Sequence, residues 1–366
     1  MRRTTGRMVA AVTGAAILLL GVCLQAPVQF DRMVARSVES VVEHSDGSVT
    51  FSLYAPSADT VRLTGDLASA FTDLVKDSRG VWSVTVPDVE PGSYRYGFNV
   101  DGLNVVDPVY PRSKDILAMA ELKFGSDPFW EVKDVPHGAM SKVFYHSSTM
   151  GEIRRMHVWT PAGYFKSSEN LPVLYLLHGG GDIDSGWPVI GCAGEILDNL
   201  LAEGKMTPMV VVMPDASIPA EKFVPELVKD IKPYVEENFR VKTGTGNTAL
   251  AGLSMGGIQI LETLLQYPTL FRYVHIMSSG FFLRDEADVA AYEQKLSAVA
   301  DDIRSTVSLL VFTQGGPEDI AYRNGEKTRA LFTRCEIPFE YSEMPGGHNW
   351  YVWRFDLANF AQRIFR

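Results

Sequence analysis

The sequence predicts an α/β protein with a mainly parallel sheet, preceded by a small all-β sandwich. The length of 366 residues exceeds the roughly 100–200 residues of an ordinary domain, so two domains are expected. Residues 37–124 contain short alternating runs separated by turn residues, whereas strand and helix patterns alternate after residue 141. Hydrophobic residues make up 46% of the chain, which excludes a mostly disordered protein.

Residues 1–26 are interpreted as an export signal rather than as part of the fold. Three arginines precede an apolar run over residues 8–24, and the first acidic residue is Asp31. A basic start followed by an apolar stretch is typical of a secretory signal, so we expect a secreted or periplasmic protein. Cys23 resembles the attachment cysteine of a lipoprotein, which makes a lipid anchor the second alternative and an uncleaved membrane anchor the third.

The segment 37–124 predicts a sandwich of short antiparallel strands. Its runs of alternating apolar and polar residues cover 48–54, 60–64, 80–86 and 93–100. Trp82, Tyr94 and Tyr96 lie in these runs and could stack on sugar rings if they were exposed. Because aromatic residues in alternating strands are more often buried, we expect them in the core.

Residues 125–140 have no regular period and are interpreted as a connector, which leaves 141–366 as the α/β domain. Near-continuous apolar runs at 172–177 and 209–213 are typical of strands buried on both faces. Further predicted strands cover 248–252, 273–277 and 308–312, and predicted helices cover 223–239 and 258–266.

A candidate nucleophile, Ser254, lies in the sequence Gly252-Leu253-Ser254-Met255-Gly256. An apolar strand runs into this sequence and a helix-forming segment follows it, which is the context of a nucleophilic serine on a sharp turn. The flanking glycines would allow close packing, and the start of the helix would direct backbone N–H groups at developing negative charge.

A glycine-rich loop, His178-Gly179-Gly180-Gly181, follows another predicted strand. At this place it can offer backbone N–H groups to the oxyanion of a tetrahedral intermediate. We therefore predict the amides of Gly180 and Met255 as the oxyanion donors.

A serine hydroxyl needs a base, and His348 is the histidine that lies on a loop after the last predicted strand. A carboxylate must hold this histidine, and the order serine, acid, histidine places it between residues 254 and 348. Asp319 follows the strand 308–312 and is the preferred acid, with the adjacent Glu318 as the alternative.

These motifs resemble the esterase-D-like branch of α/β-hydrolases, which contains the carbohydrate esterase family 1 feruloyl and acetylxylan esterases. The matching strings cover residues 154–161, 174–181 with Trp187, 198–204, 251–257, 318–319 and 346–350. The resemblance implies the same triad of Ser254, His348 and Asp319. The turn 315–318 departs from the shorter, basic turn of that family, which keeps Glu318 open as the acid.

Residues 92–102 and Asp107-Pro108 also resemble the immunoglobulin-like family 48 carbohydrate-binding modules, which implies either a sugar-facing role or a packing role. Together the two resemblances imply removal of feruloyl or acetyl groups from xylan, a plant cell-wall polysaccharide. Trp187, Phe281, Phe282 and Trp350 are the candidate acyl-pocket residues, with burial in the core as the equal alternative for each. Acyl transfer to a sugar, siderophore-ester hydrolysis and non-catalytic sugar binding remain the alternatives.

The composition also argues against several classes of partner. A formal net charge of −10 disfavours nucleic-acid binding, which relies on basic residues. The sequence has no close cluster of Cys and His residues of the kind that would indicate a metal site. The expected chemistry needs no cofactor. Cys192 and Cys335 could form a disulfide in an oxidising compartment or could be two buried thiols.

Overall fold

The fold is taken from a computed structural model that describes residues 30–68, 71–110, 113–114, 117–123, 125–126 and 128–366. The predicted export signal over residues 1–26, including Cys23, lies outside these residues. In the part of the chain that is described, no helix is both long and apolar enough to cross a membrane.

The first domain is a two-sheet antiparallel sandwich, as predicted. After a short helix, α1 (Arg32–Ser37), its strands are β1 (Val41–Glu43), β2 (Val49–Tyr54), β3 (Val61–Gly65), β4 (Thr72–Asp73), β5 (Val75–Lys76), β6 (Val81–Val86), β7 (Gly92–Val100), β8 (Leu103–Val105), β9 (Ser113–Lys114) and β10 (Leu117–Leu122). One sheet has the order β1-β2-β6-β5, and the other has the order β4-β3-β7-β10-β9 with β8 paired to β7.

The sandwich core lies between the two sheets. Phe51 of one sheet and Tyr96 and Phe98 of the other are fully buried and pack together. Trp82 is also buried, while Tyr94 is partly buried at the edge of the core. The expectation that these aromatic residues belong to the core is therefore confirmed for Trp82 and Tyr96.

The second domain is built on an eight-stranded, mainly parallel sheet, which confirms the predicted fold class. Its strands are β11 (Ala139–Ser147), β12 (Glu152–Thr160), β13 (Val173–Leu177), β14 (Val210–Pro214), β15 (Thr248–Leu253), β16 (Tyr273–Met277), β17 (Leu309–Gln314) and β18 (Glu340–Glu343). They have the order β11-β12-β14-β13-β15-β16-β17-β18, and only the pairings of β11 and β12 are antiparallel.

Helices cover both faces of this sheet. They are α2 (Ala193–Ala202), α3 (Ala220–Glu226), α4 (Lys232–Asn238), α5 (Met255–Gln266), α6 (Glu286–Thr306), α7 (Tyr322–Arg334) and α8 (Trp350–Ala361). Along β13, Tyr175 packs into the apolar cluster on one face, and Leu174 and Leu176 pack into the cluster on the other. Burial on both faces explains why these strands read as continuous apolar runs.

The two domains are joined by a buried ion pair. Arg354 of α8 has no exposed surface, and its guanidinium donates to the Glu121 carboxylate of β10 at 2.7 and 2.8 Å and to Ser93 Oγ of β7 at 2.6 Å. The predicted connector adds to this contact, because Trp130 is buried beside the Arg354 guanidinium. A buried charge without its partner is strongly unfavourable. Moving the sandwich away from the hydrolase domain would separate this pair, so the contact favours one position of the sandwich.

Cys192 and Cys335 are separate buried thiols rather than a disulfide. Cys192 packs into the apolar cluster beside α2 and α8, whereas Cys335 packs into the cluster on the opposite face of the sheet. Of the two alternatives for these cysteines, the structure has the buried thiols.

Candidate active site

Ser254 lies on the sharp turn between β15 and α5, with φ 51° and ψ −115°. This is a strained conformation for a residue with a side chain. The turn is held by two bonds, because the Ser254 N–H donates to Met277 O at 2.9 Å and Ser279 Oγ donates to Ser254 O at 2.6 Å. A Cβ at Gly256 would lie 2.6 Å from His178 O, so a larger residue there would disturb the turn.

The loop after β13 packs directly against this serine. A Cβ at Gly179 would lie 3.1 Å from Ser254 Cβ, so the absence of a side chain allows the approach. The His178 side chain holds the loop through two contacts. Its Nε2 accepts from the Ala216 N–H at 2.8 Å, and its Nδ1 lies 2.8 Å from Gly179 O. This pairing selects the neutral tautomer with a proton on Nδ1. Gly180 follows on the wall of the cavity above Ser254.

The predicted base and the preferred acid are in contact, since His348 Nδ1 lies 2.8 Å from Asp319 Oδ1. Asp319 is buried and also accepts from the backbone N–H groups of Gly315 at 3.2 Å and Ala321 at 2.8 Å. Burial opposes ionisation, but hydrogen bonds from His348, Ser278 and Ala321 outweigh it and lower the pKa of Asp319. The contact uses Nδ1 of His348, so Nε2 is the ring nitrogen left for a reacting group.

The alternative acid, Glu318, points elsewhere. Its side chain is exposed, and its Oε1 accepts from the Gly346 N–H at 3.3 Å. Close packing requires glycine in the turn that precedes Glu318, because a Cβ at Gly315 would lie 1.9 Å from Gly347 O. The backbones of the loop before Asp319 and the loop before His348 are therefore in contact. Of the two candidate carboxylates, Asp319 is the one that contacts the His348 imidazole.

Two cavities meet at Ser254 and His348. The smaller has a volume of about 100 Å³, and its other lining residues are Ile258, Ser278, Ser279, Phe282, Ile320, Ala321 and Asn324. The larger has a volume of about 380 Å³, and its other lining residues are Arg95, Gly179, Gly180, Asp182, Leu253, Ile320, Trp350 and Trp353. An ester bound at Ser254 could therefore extend into the smaller cavity with one half and into the larger cavity with the other.

Of the four candidate acyl-pocket residues, Phe282 and Trp350 line the cavities at Ser254, whereas Phe281 and Trp187 do not. Phe281 is buried in the core against Tyr292, at 4.4 Å between ring centroids, so its predicted role is wrong. Trp187 is also a core residue: its ring N–H donates to Leu177 O at 3.0 Å, and its ring supports Trp350. Trp350 lines the larger cavity.

Two residues at the site, Ile320 and Arg95, carry no local sequence signal. Ile320 borders both cavities, whereas Phe282, which is one of the candidate pocket residues, is 69% exposed and lines the smaller cavity. The consecutive residues Phe281 and Phe282 lie in an irregular segment, one buried and the other exposed, and the local sequence does not indicate which of the two is buried. Arg95 comes from the sandwich, and no spacing rule connects it with Ser254.

A second buried carboxyl group, Asp356 of α8, lies near Asp319. Burial raises its pKa to about 7, a hydrogen bond with Thr313 opposes this shift, and the charge on Asp319 adds to it. Among the described residues no cluster of three or more His, Cys, Asp or Glu side chains is placed to hold a metal ion.

Comparison with known proteins gives two family matches. Residues 147–364 match the family described as "Putative esterase", and residues 38–117 match carbohydrate-binding module 48, the isoamylase N-terminal domain. A curated relative, the endo-1,4-beta-xylanase/feruloyl esterase of Xylanibacter ruminicola, is 34% identical over 264 residues. That alignment covers 66% of this chain but only 36% of the relative, so the chain spans about a third of that protein.

Solved structures share the fold. A CE1 ferulic acid esterase from Anaeromyces mucronatus is 23% identical, with a TM-score of 0.57, over 66% of this chain and 96% of its own. The enterobactin esterase from Shigella flexneri is 16% identical, with a TM-score of 0.68, over 91% of this chain and 98% of its own. The second comparison extends over both domains.

Proposed function

The chain belongs to the esterase family that its residues 147–364 match, and from this premise we propose that it is an exported serine hydrolase that removes feruloyl or acetyl groups from plant cell-wall xylan. The observation that carries the proposal is geometric. Ser254 and His348 line the same two cavities, and Asp319 holds His348 through Nδ1. This arrangement has the parts of a nucleophile, a base and an orienting acid.

In the proposed reaction Ser254 Oγ attacks the ester carbonyl while His348 Nε2 takes its proton. The backbone N–H groups of Gly180 and Met255 stabilise the oxyanion that forms. The intermediate collapses by breaking the bond between the acyl carbon and the alcohol oxygen, and His348 returns the proton to the leaving alcohol. Water then attacks the acyl-enzyme with the help of His348, which releases the acid and restores Ser254.

The two cavities suggest where the halves of the ester bind. The smaller one has an apolar wall that includes Phe282 and Ile320, so it suits the acyl group. The larger one has polar groups on its wall, which suits the alcohol half of a sugar ester. The name of the Xylanibacter relative supports feruloyl esters of xylan as the substrate class.

An ester panel tests the proposal. We expect hydrolysis of methyl ferulate or acetylated xylan, and a fall in kcat of at least about 10³-fold in Ser254→Ala, because the nucleophile is lost. A Ser305→Ala variant, which removes only a bond to Asp302 O on the exposed end of α6, is the matched control. Full turnover by Ser254→Ala would contradict the proposed nucleophile. Faster acyl transfer to an added sugar than to water would assign acyltransferase activity instead.

Hydrolysis of a siderophore ester is a second candidate. Its support is that the enterobactin esterase shares the fold over 91% of this chain, including the sandwich. A triscatechol ester in the same panel separates the two candidate functions. Faster hydrolysis of this ester than of feruloyl and acetyl esters would favour the siderophore esterase over the xylan esterase.

Export is proposed from the basic and apolar pattern of residues 1–26. Expression of the full chain in a bacterial host, followed by N-terminal sequencing of protein from the periplasm and medium, is expected to give a shortened chain. An acylated Cys23 at the new N-terminus would indicate the lipid anchor, and full-length protein confined to the cytosol would contradict export.

A further inference from the structure

The wall of the larger cavity includes Arg95, a residue of the sandwich domain. It lies on β7, whose side chains alternate between two environments. Tyr96 and Phe98 point with Tyr94 toward the sandwich core, whereas Ser93 and Arg95 point to the other face. Because Ser93 accepts from Arg354 of the hydrolase domain, this other face is directed at the hydrolase domain.

The neighbouring strand confirms the direction of this face. In the pairing of β10 with β7, Met119 lies opposite Arg95 and Glu121 lies opposite Ser93. Met119 is buried in an apolar cluster of the hydrolase domain, and Glu121 forms the ion pair with Arg354. Arg95 is therefore presented to the cavity by a docked sheet face.

The turn after β3 holds the backbone of Arg95. The Arg95 N–H donates to Asp66 Oδ2 at 2.8 Å, and the Asp66 N–H donates to Arg95 O at 2.8 Å. A Cβ at Gly65 would lie 2.1 Å from Arg95 O, so only glycine permits this approach. The base of the side chain is fixed, which favours a binding role over a mobile surface role.

The guanidinium itself is only loosely paired. Its Nε and Nη2 lie 3.4 Å from the Asp66 carboxylate, longer than the 2.7–2.9 Å of a strong charged hydrogen bond, and the side chain is 48% exposed. Asp66 balances its charge, and Asp182 places a carboxylate on the wall of the same cavity. Among the described residues the cavity wall therefore carries both the Arg95 guanidinium and the Asp182 carboxylate, and this combination of donors and acceptors suits neutral hydroxyl groups better than a carboxylate.

We propose that Arg95 binds hydroxyl groups of a neutral sugar that forms the alcohol half of the ester, so that the sandwich contributes a specificity residue to the substrate site. This inference rests on the proposed function, because it assigns the larger cavity to the leaving alcohol. The sugar would then contact both domains while its ester carbonyl lies at Ser254.

The test compares two esters of the same acid, methyl ferulate and a feruloyl ester of arabinose. In Arg95→Ala we expect the ratio of kcat/KM for the sugar ester to that for the methyl ester to fall about tenfold or more, since hydrogen bonds to a charged donor are lost. Arg62→Ala is the matched control, because Arg62 lies in the same sheet, pairs with Asp73 and has a similar exposure of 46%. Its ratio should stay within about twofold of the wild-type value.

The possible results are distinct. An unchanged ratio in Arg95→Ala overturns the proposal, and so does an equal loss on both esters with a lower Tm, which would make Arg95 structural. A wild-type preference for a feruloyl ester of a uronic acid that Arg95→Ala abolishes would overturn the neutral-sugar assignment. If the wild type hydrolyses neither feruloyl ester, the proposed feruloyl esterase function fails instead.

Discussion

Asp319 and Asp356 are two carboxyl groups with nearly the same burial, at 3% and 4% exposure, and with opposite pKa shifts. The pKa of Asp319 is lowered, because hydrogen bonds from His348, Ser278 and Ala321 outweigh the effect of burial. The pKa of Asp356 is raised to about 7, and its Oδ2 has no hydrogen-bond partner among the described residues. The number of donors around a carboxylate, rather than its depth, decides whether it is charged at neutral pH.

This difference suits the two positions. An ionised Asp319 can hold His348 with its proton on Nδ1 and, in the proposed reaction, would stabilise the imidazolium. Asp356 lies close enough for the charge on Asp319 to raise its pKa, so a second full charge there would be unfavourable. The protein therefore has one charged carboxylate, Asp319, beside His348. The neighbouring Asp356 is mostly protonated below about pH 7.

The largest expected effect is that of Asp319→Asn on catalysis. An amide at this position cannot hold the His348 tautomer or stabilise its charged form, so kcat for methyl ferulate should fall about 10³–10⁴-fold. Steady-state kinetics at pH 7–8 measure this, with unfolding curves to verify the fold. A fall of less than about tenfold would show that another group orients His348.

An intermediate effect is expected for Asp356→Asn on stability. The folded protein keeps the Asp356 proton up to about pH 7, whereas an unfolded aspartate loses it near its ordinary value of 3.8. Between these values the folded state binds more protons, so the contribution of Asp356 to stability falls as pH rises. Denaturant unfolding should show Asp356→Asn more stable than the wild type by on the order of 4 kcal/mol at pH 8 and nearly equal at pH 4.

The control for that experiment is the opposite behaviour of Asp319. Its lowered pKa gives stability that is present above the unfolded value and lost as pH falls through the folded one. Asp319→Asn should therefore lose stability at neutral pH, and this loss should shrink in acid. Parallel pH profiles for the two variants would contradict the contrast between the two carboxyl groups.

The smallest effect is expected for Glu318→Gln. Glu318 is exposed and accepts one bond from the Gly346 N–H, which glutamine can also accept. The kcat for methyl ferulate should therefore remain within about threefold of the wild-type value. A loss comparable to that of Asp319→Asn would reverse the assignment of the acid.

Much of the site follows from local sequence. The turn at Ser254 is defined by its flanking glycines and by the strand and helix on either side, all within a few residues. The place of His348 after the last predicted strand follows from the chain order of this fold. The sequence favours Asp319 over Glu318 as the acid but keeps both, since adjacent residues differ only in side-chain direction.

Side-chain direction in irregular segments is what the sequence predicted least well. Of the four candidate pocket residues, Phe281 and Trp187 lie in the core, whereas Phe282 lines the smaller cavity and Trp350 lines the larger one. Phe281 and Phe282 lie outside helices and strands and Trp187 lies in a single π-helical turn, and in such short segments no regular period indicates which residue points inward. The direction depends on residues that pack there from distant parts of the chain.

The amino-acid sequence alone determined the two-domain architecture, the serine turn and the glycine loop, because strand periods and backbone sterics act over a few residues. Tertiary structure decided that Asp319 rather than Glu318 contacts His348, that Asp356 lies nearby with a raised pKa, and that Arg95 reaches the larger cavity. Asp319 meets His348 because the loops after β17 and β18 pack together, and Arg95 reaches the cavity because the Arg354–Glu121 pair docks the face of β7, joining residues more than 200 positions apart. Contacts over such separations depend on how whole sheets and helices pack.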